Sequence, residues 1–183
     1  MSAPAKKQFS ADEFLTWAEG QEGRWELHDG APVARAPERV AHLQTKGRIF
    51  RSLQAAIERA RLPCEAFPDG ASVRVHERTV FEPGALVYCG PRLAPDSLEI
   101  SSPIIVVEVL SPSTAAYDHG AKLTGYFLLP SVMHYLILDA DRQVAIHHKR
   151  GAGEVIETRI FSDGALRLDP PGLDVPVAEI FTA

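Results

Sequence analysis

The sequence lacks any apolar run close to the roughly 20 residues that a membrane-spanning helix requires. Residues 1–7 contain no apolar segment of the secretory-signal type, so we expect a cytoplasmic protein with no membrane partner. With 183 residues, 45% of them hydrophobic and 23% charged, the chain has the composition of an ordinary globular protein. We expect a flexible N-terminal tail at residues 1–9 and a single domain at residues 10–183.

Cysteine is scarce, and its spacing excludes the common cysteine-based sites. The two cysteines, Cys64 and Cys89, form no CxxC pair and have no metal-ligand pattern around them. We therefore expect two buried or half-buried structural thiols in a reducing cytoplasm.

Several nucleotide and hydrolase motifs are also absent. The sequence contains neither GxGxxG nor GxxxxGK[ST], so a dinucleotide or P-loop site has no support, and without GxSxG an α/β-hydrolase is not indicated. The net charge of −5 argues against a surface that attracts nucleic acid everywhere, although a local basic groove is compatible with it. His147 and His148 are adjacent in an alternating strand, where their rings should point to opposite faces and not share a metal.

The order of the predicted elements indicates the fold class. Ser10 and Glu13 have the spacing of a helix-starting capping box, Asp29-Gly30 predicts a hairpin, and residues 40–61 have helical spacing. Strands and helices alternate in the middle of the chain while hairpins lie at its flanks, which predicts an α/β fold with a central mixed sheet flanked by helices. An exposed strand at residues 154–161 could form a sheet edge that supports a symmetric homodimer.

The stretch Ile104-Ile-Val-Val-Glu-Val-Leu-Ser-Pro-Ser-Thr114 predicts a central strand that is buried on both faces. Glu108 lies inside this strand, where an ionised carboxylate needs a cation, a hydrogen-bond donor or a proton. Ser113-Thr114 can cap a following helix that ends at Leu129. Two interpretations stay open, a metal or phosphate site at the strand end and a structural glutamate paired with a neighbouring cation.

Other polar residues could complete a phosphodiester-cleaving site. That chemistry requires a divalent cation held by carboxylates, an activated water and a fixed positive charge. Lys122 follows Glu108 in the predicted helix, and Glu26 lies in the early hairpin. His42, near the start of the predicted helix at residues 40–61, is a possible accessory group. The alternative interpretation is that Lys122 is a solvated helix charge and that His42 is a surface histidine or one with only structural hydrogen bonds.

A series of blocks resembles the Uma family of restriction-type endonucleases, which belongs to the PD-(D/E)xK nuclease superfamily. The blocks come in the family's order and span about residues 10–150: Arg24-Trp-Glu-Leu-His-Asp-Gly30, His42, Phe67-Pro-Asp-Gly70, Glu82-Pro-Gly84, Val107-Glu-Val-Leu-Ser-Pro-Ser-Thr114, Lys122 and Tyr135-Leu-Ile-Leu-Asp139. This resemblance implies a restriction-endonuclease-like core, a site that depends on Mg²⁺ or Mn²⁺, and DNA as substrate.

The resemblance also assigns site residues and shows one departure. It implies that Glu108 binds metal and that Glu26 and Lys122 are catalytic, but Gly84 stands where the family has a metal-binding Asp. Glu82, two residues earlier, could supply the missing ligand. Two hypotheses follow: a Mg²⁺-dependent DNA endonuclease impaired at position 84, and a catalytically inactive nuclease-fold protein with a binding or interaction role.

Overall fold

The computed structural model describes residues 8–110 and 118–182. Within these ranges no helix is both long and apolar enough to cross a membrane. The α-helices are α1 (Ala11–Ala18), α2 (Val40–Ala60), α3 (Leu123–Leu128) and α4 (Val177–Phe181), with a π-helical turn at Asp118–Lys122. The strands are β1 (Trp25–His28), β2 (Ala31–Ala34), β3 (Glu65–Pro68), β4 (Val73–His76), β5 (Thr79–Phe81), β6 (Ala85–Tyr88), β7 (Pro103–Val109), β8 (His134–Asp139), β9 (Val144–Arg150), β10 (Ile156–Phe161), β11 (Ala165–Leu168) and β12 (Leu173–Pro176).

A six-stranded mixed sheet forms the centre, in the order β10-β9-β8-β7-β6-β3. Strands β7 and β8 pair in parallel, and the other neighbours in this sheet are antiparallel. A parallel pair needs a crossover connection, and here the connection includes the π-helical turn and α3. The predicted mixed sheet with flanking helices is confirmed.

The two faces of this sheet carry different layers. Ile105, Val107 and Val109 of β7 belong to a core shared with α2, α4 and the β11–β12 hairpin. Val106 faces the other core, which includes Tyr126 of α3 and residues of the smaller sheet. Because side chains alternate along a strand, Glu108 points to the same side as Val106.

A four-stranded sheet, in the order β2-β1-β5-β4, packs on that second side. The sequence predicts one strand from Thr79 to Tyr88 with an interruption at Pro83-Gly84, but the structure has two strands in different sheets. Pro83 has no N–H to continue a ladder, and the Gly84 N–H starts a new one by donating to the Val107 carbonyl at 2.8 Å. The segment Glu82-Pro83-Gly84 therefore crosses from the small sheet to the central sheet beside Glu108.

Most of the local predictions agree with the structure. The capping box at Ser10 and Glu13 is formed, and Asp29 and Gly30 have the positive φ values of a tight hairpin turn. Of the predicted helix from Ser113 to Leu129, residues 113–117 lie outside the described part, and the remainder is the π-helical turn followed by α3. The β11–β12 hairpin was not anticipated by the sequence pattern.

The prediction of two free thiols is wrong, because Cys64 and Cys89 form a disulfide. Strands β3 and β6 pair with Glu65 opposite Tyr88, so the next position outward places the two cysteines opposite each other. The pairing depends on strand register between segments 25 residues apart, which cysteine spacing does not reveal.

A buried histidine pair links the central sheet to the loop after β11. His134 is fully buried, and its Nε2 lies 2.8 Å from the Pro170 carbonyl oxygen, which can only accept. His134 Nε2 therefore donates, and its Nδ1 accepts from His147 Nε2 at 2.8 Å. His147 and His148 lie on opposite faces, since His148 instead stacks on Tyr135.

This histidine pair predicts acid sensitivity of the fold. Burial lowers the pKa of both His134 and His147 to about 4, whereas unfolded histidine titrates near about 6.5. The unfolded state therefore takes up protons first, so stability that is fully present above about pH 6.5 is lost as the pH falls towards 4. We expect denaturant unfolding to show less stability at pH 5 than at pH 7, with a smaller difference for His147→Gln. Equal losses in both proteins would contradict this assignment.

Candidate active site

Three distant segments bring Glu26, Glu108 and Lys122 together. Lys122 Nζ lies 2.8 Å from Glu26 Oε1 and 2.8 Å from Glu108 Oε1. All three residues are at most 3% exposed. The strand carboxylate and the lysine after the strand therefore meet in one place, as the sequence suggested, while their catalytic roles stay predictions.

Lys122 is held in place by its position at the start of α3 and by the aromatic side chains of Phe81 and Tyr126. It ends the π-helical turn, and four residues later Tyr126 donates its hydroxyl to Glu108 Oε1 at 2.9 Å. The Lys122 ammonium lies 5.5 Å from the centroid of the Phe81 ring, which packs edge-on against Tyr126. Burial, followed by the charge of Glu108, raises the pKa of Tyr126 well above its usual value, so the hydroxyl stays a donor. Sequence reasoning missed Tyr126, although its spacing of four from Lys122 places it on the same helix face.

Glu26 is bound by several groups besides Lys122. Its Oε1 accepts from Arg35 at 2.7 Å and from the Glu82 backbone N–H at 2.9 Å, and its Oε2 lies 3.0 Å from His28 Nε2. Burial raises the pKa of Glu26, but the His28 hydrogen bond and the charges of Lys122 and Arg35 outweigh it and hold that pKa well below its usual range. Glu26 is therefore ionised. We call the group Glu26, His28, Arg35, Glu108, Lys122 and Tyr126 the inner cluster.

A second group of charges, which we call the outer cluster, lies next to the inner cluster and comprises Arg24, Glu38, Lys46, Asp69 and Glu82. The Arg24 guanidinium binds Asp69 through two nitrogens and Glu82 Oε2 through Nε at 3.1 Å. Lys46 Nζ binds Glu38, and lies 3.1 Å from Asp69. Burial raises the pKa of the Asp69 carboxyl, but Arg24 and Lys46 outweigh it and leave the value lowered.

The cations of the two clusters differ in exposure. The Lys122 side chain is 2% exposed, whereas the Arg35 side chain is 15% and the Arg24 side chain 34% exposed. Arg35 connects the clusters, since it binds Glu26 and lies 3.7 Å from Glu38. Of these three cations Arg24 is therefore the one most open to an anion from solvent, and Lys122 is almost fully buried.

Gly84 lies against the aliphatic part of Lys46. A Cβ atom at position 84 would be 3.1 Å from Lys46 Cε and 3.2 Å from Lys46 Cγ, which is closer than ordinary contact. Lys46 is 4% exposed, so this stem fills part of the space that a side chain at position 84 would need. Sequence reasoning did not select Lys46; its spacing of four from His42, on the buried side of α2, was the available signal.

The side chains of two other predicted site residues do not bind the inner acids in the described part of the chain. Glu82 lends its backbone N–H to Glu26, but its carboxylate binds Arg24 in the outer cluster. His42 is 4% exposed in the first turn of α2, and within the described ranges its side chain has no hydrogen bond or ion pair to either cluster. The metal role of Glu82 and the accessory role of His42 stay predictions.

The carboxylates of the site are suitable ligands for a divalent cation, but each of them is engaged in an ion pair. Carboxylate oxygens, here from Glu26, Glu82 and Glu108, are the ligands that Mg²⁺ prefers. Each of these three carboxylates is bound to a cationic side chain, and residues 8–110 and 118–182 contain no cluster of three or more acids, histidines or cysteines arranged to hold a metal. The carboxylates are thus of the ligand type that Mg²⁺ prefers, but in this arrangement each of them is occupied by a cationic side chain.

A family model described as "Putative restriction endonuclease", Uma2, matches residues 11–178. The chain belongs to the Uma2 family. The resemblance seen in the sequence blocks is therefore confirmed. Membership of this family supports a nuclease-like function for the chain.

Two known proteins are similar over nearly the whole chain. "Uncharacterized protein slr1290" from Synechocystis is 29% identical over 182 residues, which is 98% of this chain and 94% of that protein. A crystal structure from Anabaena variabilis ATCC 29413, described as "a putative nuclease belonging to DUF820", superposes with a TM-score of 0.76 over 95% of this chain and 98% of that one. At 16% identity this match shows the nuclease fold alone.

Proposed function

We propose that this Uma2 protein is a DNA endonuclease that requires Mg²⁺ or Mn²⁺ and that Gly84 weakens its metal binding and its cleavage. The observation that carries the proposal is the convergence of Glu26, Glu108 and Lys122, although Glu26 and Lys122 are 96 positions apart in the chain. Two acids beside a fixed ammonium are the parts that phosphodiester hydrolysis requires.

In this proposal each residue has a defined task. Glu108, with Glu82 or Glu26, would hold the divalent cation. The cation would polarise a phosphoryl oxygen and make a bound water more acidic. The Lys122 ammonium would exchange its ion pair with Glu26 for one with the phosphate. There it would stabilise the negative charge that develops in the transition state. Tyr126 keeps the Glu108 carboxylate oriented, and Arg24, as the most exposed cation of the two clusters, would contact the DNA backbone.

We expect Mn²⁺-dependent nicking of supercoiled plasmid by the wild-type protein and a loss of at least about 100-fold in Glu108→Gln, because the variant keeps the shape of the side chain but not its charge. Gel quantification of nicked DNA over a metal titration measures the effect. Glu58→Gln, an exposed glutamate on α2, is the matched control and should nick at the wild-type rate. Equal rates for wild type and Glu108→Gln would contradict the assignment and indicate a contaminating nuclease.

A second candidate function is DNA binding without cleavage. It is favoured by the missing acid at position 84 and by the Lys46 stem that lies against that position. Fluorescence anisotropy with a labelled duplex separates the two candidates. Salt-dependent binding together with no metal-dependent nicking at any Mg²⁺ or Mn²⁺ concentration supports the binding protein, whereas neither binding nor nicking rejects both candidates.

A further inference from the structure

Strand β10 forms one edge of the central sheet and is exposed along most of its length. It pairs with β9 on one side, and in the described strand order nothing lies on its other side. Three large apolar residues at this edge, Val155, Ile156 and Ile160, are 58%, 40% and 71% exposed. Such an edge presents unpaired backbone N–H and C=O groups that can accept another strand.

The sequence of this edge, Val-Ile-Glu-Thr-Arg-Ile-Phe from Val155 to Phe161, complements itself when it is reversed. In an antiparallel pair of two copies centred on Thr158, Thr158 would face its own equivalent. Moving outward, Glu157 would face Arg159, then Ile156 would face Ile160, and finally Val155 would face Phe161. Outside the central threonine pair, every pair in this register joins either opposite charges or two apolar groups, and threonine–threonine, opposite-charge and apolar pairs all stabilise a sheet.

The alternation of the strand agrees with this register. Residues directly opposite in an antiparallel pair share a face of the sheet, and each proposed pair joins two even or two odd positions. Glu157 and Arg159 already contact each other within one chain at 3.4 Å, with side chains 51% and 71% exposed. A second copy would convert this exposed contact into two cross-strand ion pairs related by the dyad.

We propose that a second copy of this chain pairs with β10 in this register and joins the two central sheets across a twofold axis. Charge complementarity argues for a second copy over an unrelated strand, since an unrelated partner would not need a sequence that matches itself in reverse. This inference concerns assembly and does not rest on the proposed nuclease activity, so either can fail without the other.

Charge reversal tests the partner. By sedimentation velocity of the full chain across a micromolar concentration series, the wild type should be a dimer, and Glu157→Arg or Arg159→Glu should each raise the dissociation constant about tenfold or more, because two like-charge pairs replace two opposite ones. The double variant Glu157→Arg/Arg159→Glu restores opposite charges across the dyad and should recover the dimer. A wild-type monomer at all concentrations, or a double variant no better than the singles, would overturn the proposal.

Cross-linking tests the register. Thr158→Cys should form an intermolecular disulfide under mild oxidation, seen as a dimer on non-reducing gels, because position 158 meets itself at the axis. Glu157→Cys is the matched control and should cross-link far less, because position 157 meets position 159. The native cysteines are already paired with each other and do not compete. Cross-linking of both variants to the same extent would reject the proposed register.

Discussion

Replacing Lys122 with methionine should lower the free energy of unfolding by about 3–5 kcal/mol, because it removes the buried ammonium that both Glu26 and Glu108 bind and leaves two buried carboxylates with one cation fewer. Methionine nearly matches the length and volume of the lysine stem, so the cavity term is small. Domains of this size are stable by only about 5–15 kcal/mol, and the variant should therefore unfold well below the wild-type denaturant midpoint. Urea unfolding followed by circular dichroism measures the difference.

Two further proteins separate charge from packing in that experiment. Lys122→Met/Glu108→Gln removes one charge of each sign and should recover part of the loss, which a double-mutant cycle measures as the coupling between Lys122 and Glu108. Lys149→Met makes the same chemical change at a half-buried position on β9 and should alter stability by about 0.5 kcal/mol or less. A Lys122 variant as stable as the Lys149 control would contradict the pairing.

The parts of the site that were predictable from the sequence are those that depend on patterns within one short segment of the chain. The apolar run around Glu108 indicates a buried strand, and burial of a carboxylate requires a partner whatever the fold. Lys122 follows in the next helix, and a strand-to-helix connection brings the two within reach. Glu26 was found because its block resembles a family block, since Glu82 and Lys122, the partners that place it at the site, are 56 and 96 positions away and no local pattern joins them.

The features that sequence reasoning missed depend on pairing between distant segments. The crossing at Glu82-Pro83-Gly84 between two sheets looks locally like an interrupted strand, and only the partners of β5 and β6 distinguish the two possibilities. The Cys64–Cys89 disulfide follows from the register of β3 against β6. In the same way, Lys46 is an unremarkable helix residue until the packing of α2 places its stem against Gly84.

That last contact decides how the missing acid can be restored. Gly84→Asp alone should give little gain in metal affinity or cleavage. Its Cβ would press on the Lys46 stem, and its carboxylate would lie close to the cationic Lys46 side chain. Gly84→Asp/Lys46→Ala removes the stem and leaves an extra acid beside Glu108. We expect this double variant to bind Mn²⁺ about tenfold or more tightly than the wild type, since affinity rises with the number of carboxylate ligands, and to nick plasmid faster. Isothermal titration calorimetry with Mn²⁺ and the nicking assay measure the two effects.

The design includes controls for space and for charge. The backbone at Gly84 does not have the positive φ that favours glycine, and the three atoms nearest to an added Cβ all belong to the Lys46 side chain. Gly84→Asn/Lys46→Ala has the same shape without the charge, and Lys46→Ala by itself reports what the removal of the lysine does. Glu38 and Asp69 keep Arg24 as a partner in both backgrounds. If the Asp and Asn double variants bind Mn²⁺ equally, position 84 is not a metal-ligand position in this chain, and the binding protein becomes the better account of its function.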